Sequence, residues 1–216
     1  HAMLDLLEGW NDSGKFQFDL SRIYSTGQSM GSMESQQFAQ ETPDYYAAVA
    51  STSFYQDYPD AHSDKPIPTY LINGEGNGKD DTGTPYDDRW NRTDDWAQYF
   101  LRVNGFVYTP AVYAADGTVT TFGVPVSEPV FTVTGPYDRF ETYTWINGQD
   151  IPLVQYTNSL YRPHNCLTSE IPMLWDFLEH YRLAEDGTRY YSPSAFEKND
   201  AVKIDYIPGA VTPDDD

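Results

Sequence analysis

One five-residue pattern constrains this chain more than anything else in it. Gly27-Gln28-Ser29-Met30-Gly31 is a G-x-S-x-G set between a short β-prone run, residues 22–26, and a proline-free stretch, residues 29–42, that ends at Pro43. A tight turn between strand and helix holds a serine hydroxyl clear of the backbone. The N–H of the next residue, here Met30, can then face an oxyanion. Three fixed positions of this kind recur by chance in about one chain in ten to twenty of this length, so the flanking strand and helix give the pattern its meaning.

The rest of the chain repeats that alternation. Met3, Leu6, Leu7 and Trp10 fall at helical spacing, and Asn11-Asp12-Ser13-Gly14 breaks the run. Met33, Phe38 and Ala39 lie among polar residues in the stretch after the turn, which reads as a helix. Residues 47–53 and 67–73 are apolar runs bounded by turn-formers, as strands buried on both faces are. A Gly/Asp-rich loop, 74–88, follows. A helix carrying Trp96, Tyr99, Phe100 and Val103 comes next, with its cap near Thr93 or Asp94.

From Val112 to Tyr156 the pattern turns antiparallel. Asp116-Gly117 and Asn147-Gly148 are hairpin dipeptides flanked by the β-prone runs 119–124 and 141–146. A further strand is expected at 153–156. Residues 169–182 read as the last helix, striped by Ile171, Leu174, Trp175, Leu178 and Tyr181, with Pro172 tolerated in its first turn. The expected organisation is one domain over 1–186 with a β-rich insertion at about 105–150, followed by a polar, aromatic tail over 187–216.

A serine nucleophile needs a general base, and four histidines compete for the role. His1 is terminal, His62 lies in a polar loop, and His180 falls late in the last helix, where capping is the ordinary role. His164, in Tyr161-Arg162-Pro163-His164-Asn165, sits on a loop between the last expected strand and the last helix, and is the candidate base. The third member should be a carboxylate that orients the imidazole. Glu75, Asp80 and Asp81 all qualify, and the alternative reading of their loop is a solvated or weakly calcium-binding segment whose spacing does not match an EF-hand.

Charge narrows the partners. With 33 Asp and Glu against 13 Lys and Arg the net charge is −20. Such a surface repels phosphate backbones and anionic lipid headgroups, so neither nucleic acid nor membrane is expected as a partner. No apolar run approaches the roughly 18 residues of a membrane span. The single cysteine, Cys166, allows no internal disulfide and no thiolate metal cluster, and the compartment stays open. The serine chemistry calls for no cofactor and no metal.

The run from Asp19 to Gly31 (DLSRIYSTGQSMG), with Met33, Phe38-Ala39, Pro43-Asp44 and Ala47-Ala48-Val49-Ala50 after it, resembles the elbow region of polyhydroxybutyrate-depolymerase-like and feruloyl-esterase-like α/β-hydrolases. Ile67-Pro68 into Leu71-Ile72-Asn73-Gly74 is similar to the later strand and acid loop of that family. His164 followed by Leu174-Trp175-Asp176-Phe177-Leu178 is similar to its histidine loop and final helix. The order serine, acid, histidine also agrees.

Where the family has His-Gly and a short step to its aspartate, this chain has Asn73-Gly74 and Asn77, and the acid is assigned to Asp80 or Asp81. The approach to the histidine is Tyr161-Arg162-Pro163 instead of the family's glycine-rich one. The resemblance covers residues 1 to about 182 and begins inside the helix before the elbow strand.

It therefore implies an α/β-hydrolase-like partial sheet, the C-terminal half of the fold, with an antiparallel β insertion and the elbow strand at an edge. The implied activity is that of a serine carboxylic-ester hydrolase. Ser29 is its nucleophile, His164 its base, Asp80 or Asp81 its acid and Met30 N–H an oxyanion donor, while Gly27, Gln28 and Gly31 complete the elbow. The implied substrate is a small or polymer-linked ester, with Trp90, Trp96 and Trp145 as residues that either stack on rings or fill the core. Two further readings stand beside it. One is a non-catalytic hydrolase half that binds a complementing N-terminal chain or a second copy of itself. The other is a calcium- or glycan-binding β-rich module at 105–156.

Overall fold

A computed structural model describes residues 2–55, 62–74, 87–108, 112–113, 119–121, 131–135, 140–159, 162, 164–196 and 199–206. Its centre is a mixed, mostly parallel sheet of six strands in the order β1-β2-β3-β8-β7-β6. β1 (Tyr24–Ser25), β2 (Ala48–Thr52), β3 (Thr69–Gly74) and β8 (Pro152–Ser159) run parallel. β7 (Phe140–Ile146) and β6 (Phe131–Thr134) are added antiparallel. The helices are α1 (Ala2–Asp12), α2 (Met30–Glu41), α3 (Asp87–Val103) and α4 (Glu170–Leu178). A two-stranded ribbon, β4 (Val112–Tyr113) with β5 (Val119–Thr121), stands apart. The alternation of strands and helices is that of an α/β fold.

The strands are apolar because both faces are covered. All five residues of β2 and the first five of β3 are buried, which is what a central parallel strand requires. Ser51 and Thr69 face α2 and α3, where Gln36 bonds both side chains and the Trp96 indole. Tyr70 and Thr52 face α4, against Phe177 and Glu170. Three layers result, with Val49, Leu71, Ile72, Trp96, Phe100, Leu153, Val154 and Tyr156 among the core residues.

Several elements depart from the sequence reading. α2 buries Ser32, Ser35, Gln36, Ala39 and Gln40, while Phe38 stays exposed. The helical period is as expected, but the inward face is largely polar: Ser32 and Gln36 bond to β2 and β3, and Gln40 to Tyr55 and His62. α1 spans the expected stripe and buries none of it. α3 starts at Asp87, earlier than the cap sites Thr93 and Asp94.

The last helix stops at Leu178 instead of running to Arg182. Tyr181–Leu183 is β9, which pairs with β10 (Arg189–Tyr191) and through it with β11 (Val202–Lys203). The stretch after residue 186, read as a tail, thus folds over its described part into a small antiparallel sheet, in which Arg189 and Ile204 are buried. At Asn147-Gly148 the turn spans Asn147 to Asp150. Asp150 takes a left-handed conformation (φ 61°), and the Asn147 side chain accepts the Gln149 and Ile151 N–H groups. Asp116-Gly117 lies outside the described residues.

Candidate active site

Because β1, β2, β3 and β8 are parallel, the segments leaving their C-terminal ends emerge at one end of the sheet. Ser29 follows β1, Gly74 ends β3, and His164 follows β8. Ligand sites in sheets of this kind gather at that end.

Ser29 caps α2 with φ 58° and ψ −117°, a left-handed conformation that an L-residue adopts only under constraint. Its N–H donates to the Thr52 carbonyl at 3.2 Å, and Thr52 N–H donates to the Gly27 carbonyl at 2.9 Å. The turn is thereby strapped to the end of β2. Of the two motif glycines only Gly27 is fixed by crowding: a Cβ there would lie 2.2 Å from the Gly31 carbonyl oxygen. A Cβ at Gly31 would meet nothing within 4 Å outside its own helix. The strain sits on the serine, not on the glycines.

Ser29 Oγ lies 2.7 Å from His164 Nε2, across 135 residues of sequence. The Phe54 ring meets the imidazole edge-on at 6.2 Å between centroids. The amides of Gly31, Ser32 and Met33 turn back to the carbonyls of Gln28 and Ser29, and Met30 supplies the first amide of α2, at the positive end of the helix dipole. Its side chain is exposed.

The histidine loop is anchored from below by residues that no motif in the sequence marked. Arg162 and Glu170 are both fully buried, with Arg162 Nε 2.6 Å from Glu170 Oε1. Thr52 Oγ1 donates to Glu170 Oε2 at 2.7 Å. Arg162 donates from Nη1 to Ser53 Oγ at 2.8 Å and to the Asn165 carbonyl, and from Nη2 to Thr52 Oγ1 at 3.2 Å. Gly74, the last residue of β3, packs so close to the Arg162 backbone that a Cβ would sit 2.5 Å from its carbonyl oxygen. Thr52, Ser53, Arg162 and Glu170 look unremarkable in sequence. The one available signal was an arginine two residues before the candidate base.

The other candidates separate cleanly. Glu75, Asn77, Asp80 and Asp81 lie outside the described residues, as does His1. Asn73 is buried near the end of β3. His62 Nε2 is 3.1 Å from the Gln40 amide nitrogen, and its ring packs on Tyr99. His180 accompanies the turn after α4, with Nδ1 2.7 Å from the Ser192 carbonyl and its ring stacked on Tyr191. Trp96 and Trp145 are core residues, 0% and 3% exposed, and unavailable for stacking on a ligand; the Trp90 side chain lies outside the described residues.

Partial desolvation pushes the Cys166 thiol up, helped by the nearby Glu170 carboxylate. Cys166 joins Gly27, Gln28, Thr52, Leu174 and Trp175 in lining an apolar cleft of about 320 Å³ beside the elbow. Among the described residues no three His, Cys, Asp or Glu side chains gather as a metal site would need, and no helix is long and apolar enough to cross a membrane. No known protein-family model matches the chain, and no curated protein matches it in sequence.

Proposed function

We propose that this chain is a serine carboxylic-ester hydrolase of α/β-hydrolase type. The observation that carries the reading is the 2.7 Å contact between Ser29 Oγ and His164 Nε2, made by a serine held at φ 58° on a strand-to-helix turn. A hydroxyl at its ordinary pKa is a weak nucleophile and needs an adjacent base. His164 takes the Ser29 proton as Oγ attacks the ester carbonyl, and returns it to the departing alcohol. Water then repeats the exchange on the acyl-enzyme. Met30 N–H, first in α2, is the donor toward the oxyanion, where one such bond is worth about 100- to 1000-fold in rate.

The acid that holds the imidazole tautomer is assigned to Asp80 or Asp81. This is consistent with the chain order of serine, acid and histidine. No cofactor enters the mechanism. An uncharged ester is the substrate class favoured by the apolar cleft beside the elbow and by the net charge of −20.

The alternative, a binding half without catalysis, draws support from β1. It has two residues and is the edge of the sheet among the described strands, and such an edge offers unpaired backbone groups.

A fluorophosphonate probe separates the two readings. Labelling of the purified chain should map to Ser29 by mass spectrometry and vanish in Ser29→Ala. Both that variant and His164→Ala should lower turnover of p-nitrophenyl acetate by at least about 1000-fold. A folded chain that resists the probe overturns the hydrolase reading and favours the binding one.

A further inference from the structure

We propose that the buried Arg162–Glu170 pair, acting through Thr52, is the positioning device that holds His164 against Ser29; the proposal rests on the serine-hydrolase reading above. The two halves of the site come from distant parts of the sequence, and Thr52 touches both. Its backbone carries the nucleophile, accepting from Ser29 N–H and donating to Gly27. Its hydroxyl carries the base, donating to Glu170 and accepting from Arg162. Arg162 in turn grips the Asn165 carbonyl, the residue after His164. An unbroken run of hydrogen bonds therefore leads from the elbow to the imidazole loop.

The Phe54 ring meets the imidazole edge-on, while the backbone that follows it is held by hydrogen bonds to the Asn165 carbonyl. His164, Asn165 and Cys166 are all exposed, so the course of the loop is set by the bonds beneath it. A buried ion pair is weak evidence of stabilisation, since an apolar pair of the same volume often serves as well or better. What an apolar pair cannot do is orient a carbonyl and a hydroxyl. The guanidinium meets the Glu170 carboxylate, the Ser53 and Thr52 hydroxyls and the Asn165 carbonyl at once, and its rigid planar fork fixes those directions together.

The experiment compares Thr52→Val, Thr52→Ser and the double variant Arg162→Met with Glu170→Leu. Two readouts are taken well below each melting temperature: the rate of fluorophosphonate labelling at Ser29, and the ¹H–¹⁵N signals of the His164 ring. Thr52→Val and the double variant should stay folded and label about 100-fold more slowly, the loss expected when reacting groups shift by about 1 Å. Thr52→Ser, which keeps the hydroxyl, should restore the rate. The ring signals should report one fixed tautomer in the wild type and Thr52→Ser, and an averaged ring in the other two.

A folded double variant that labels at the wild-type rate overturns the proposal. If it does not fold, equal rates in Thr52→Val and Thr52→Ser overturn it. If the wild type itself is not labelled, the hydrolase reading fails separately. The ring signals then decide, and an unchanged His164 in Thr52→Val overturns the positioning role.

Discussion

Two buried arginines stand at opposite ends of the same parallel strands, and they are used differently. Arg162, at the C-terminal ends of β2 and β3, is paired with a buried carboxylate and bonds two hydroxyls and a loop carbonyl. Arg189, at the N-terminal ends, donates to the carbonyls of Pro43, Tyr46 and Pro66, from the segments that lead into β2 and β3. Both side chains tie loops to strands. Only the first joins the strand end beneath Ser29 to the loop that carries His164, and it is the one paired with a buried carboxylate. The contrast separates an arginine that closes a fold from one that also aims a site.

Truncating each arginine tests that contrast most strongly. Arg162→Ala leaves Glu170 as an uncompensated buried charge and should cost about 3–5 kcal/mol in chemical denaturation, with Ser29 labelling falling too. Arg189→Ala leaves three carbonyls without their donor and should cost about 2–3 kcal/mol, while labelling below the melting temperature keeps its wild-type rate. Equal loss of labelling in both variants would break the comparison.

The next effect is alkaline. Burial pushes the Tyr70 and Tyr181 hydroxyls up, and Tyr206, beside Arg189, is pushed up to about 12. In the unfolded chain these groups ionise near pH 10, so above that pH the unfolded state binds fewer protons than the folded one. Their contribution is fully present below about pH 10 and is lost as pH rises through the folded pKa values. Denaturation midpoints between pH 9 and 12 measure the slope. Tyr206→Phe should flatten it in part, locating some of the effect at the Arg189 end.

The smallest effect separates the elbow glycines. Gly31→Ala occupies open space on a helix and should raise stability by up to about 1 kcal/mol. Gly27→Ala drives a Cβ into the Gly31 carbonyl and should instead be destabilising. A melting-temperature comparison reads both signs.

Much of this was legible in the chain. Val49, Leu71 and Ile72 announce strands buried on both faces, and the alternation of strands with helices sets Ser29 after β1 and His164 after β8. Helix α2 was legible in position and period but not in character. A scan for apolar residues selects Met33 and Phe38, whereas Gln36 and Ser32 face the sheet and find partners there. The end of α4 is not legible in the chain, because Tyr181 fits a helical stripe as well as it fits β9, and only pairing with β10 decides between them.

What the sequence determined by itself is the local chemistry: a strand-to-helix turn presenting a serine, a loop presenting a histidine, and an acidic surface. These follow from backbone preference, hydrophobic period and charge, which act over a few residues or over the whole composition. What only the tertiary structure decided is that Ser29 and His164 meet at 2.7 Å, and that Thr52, Arg162 and Glu170 lie beneath them. The reason is physical. A hydrogen bond between residues more than a hundred positions apart depends on strand order and register, and no short segment of the chain carries that information.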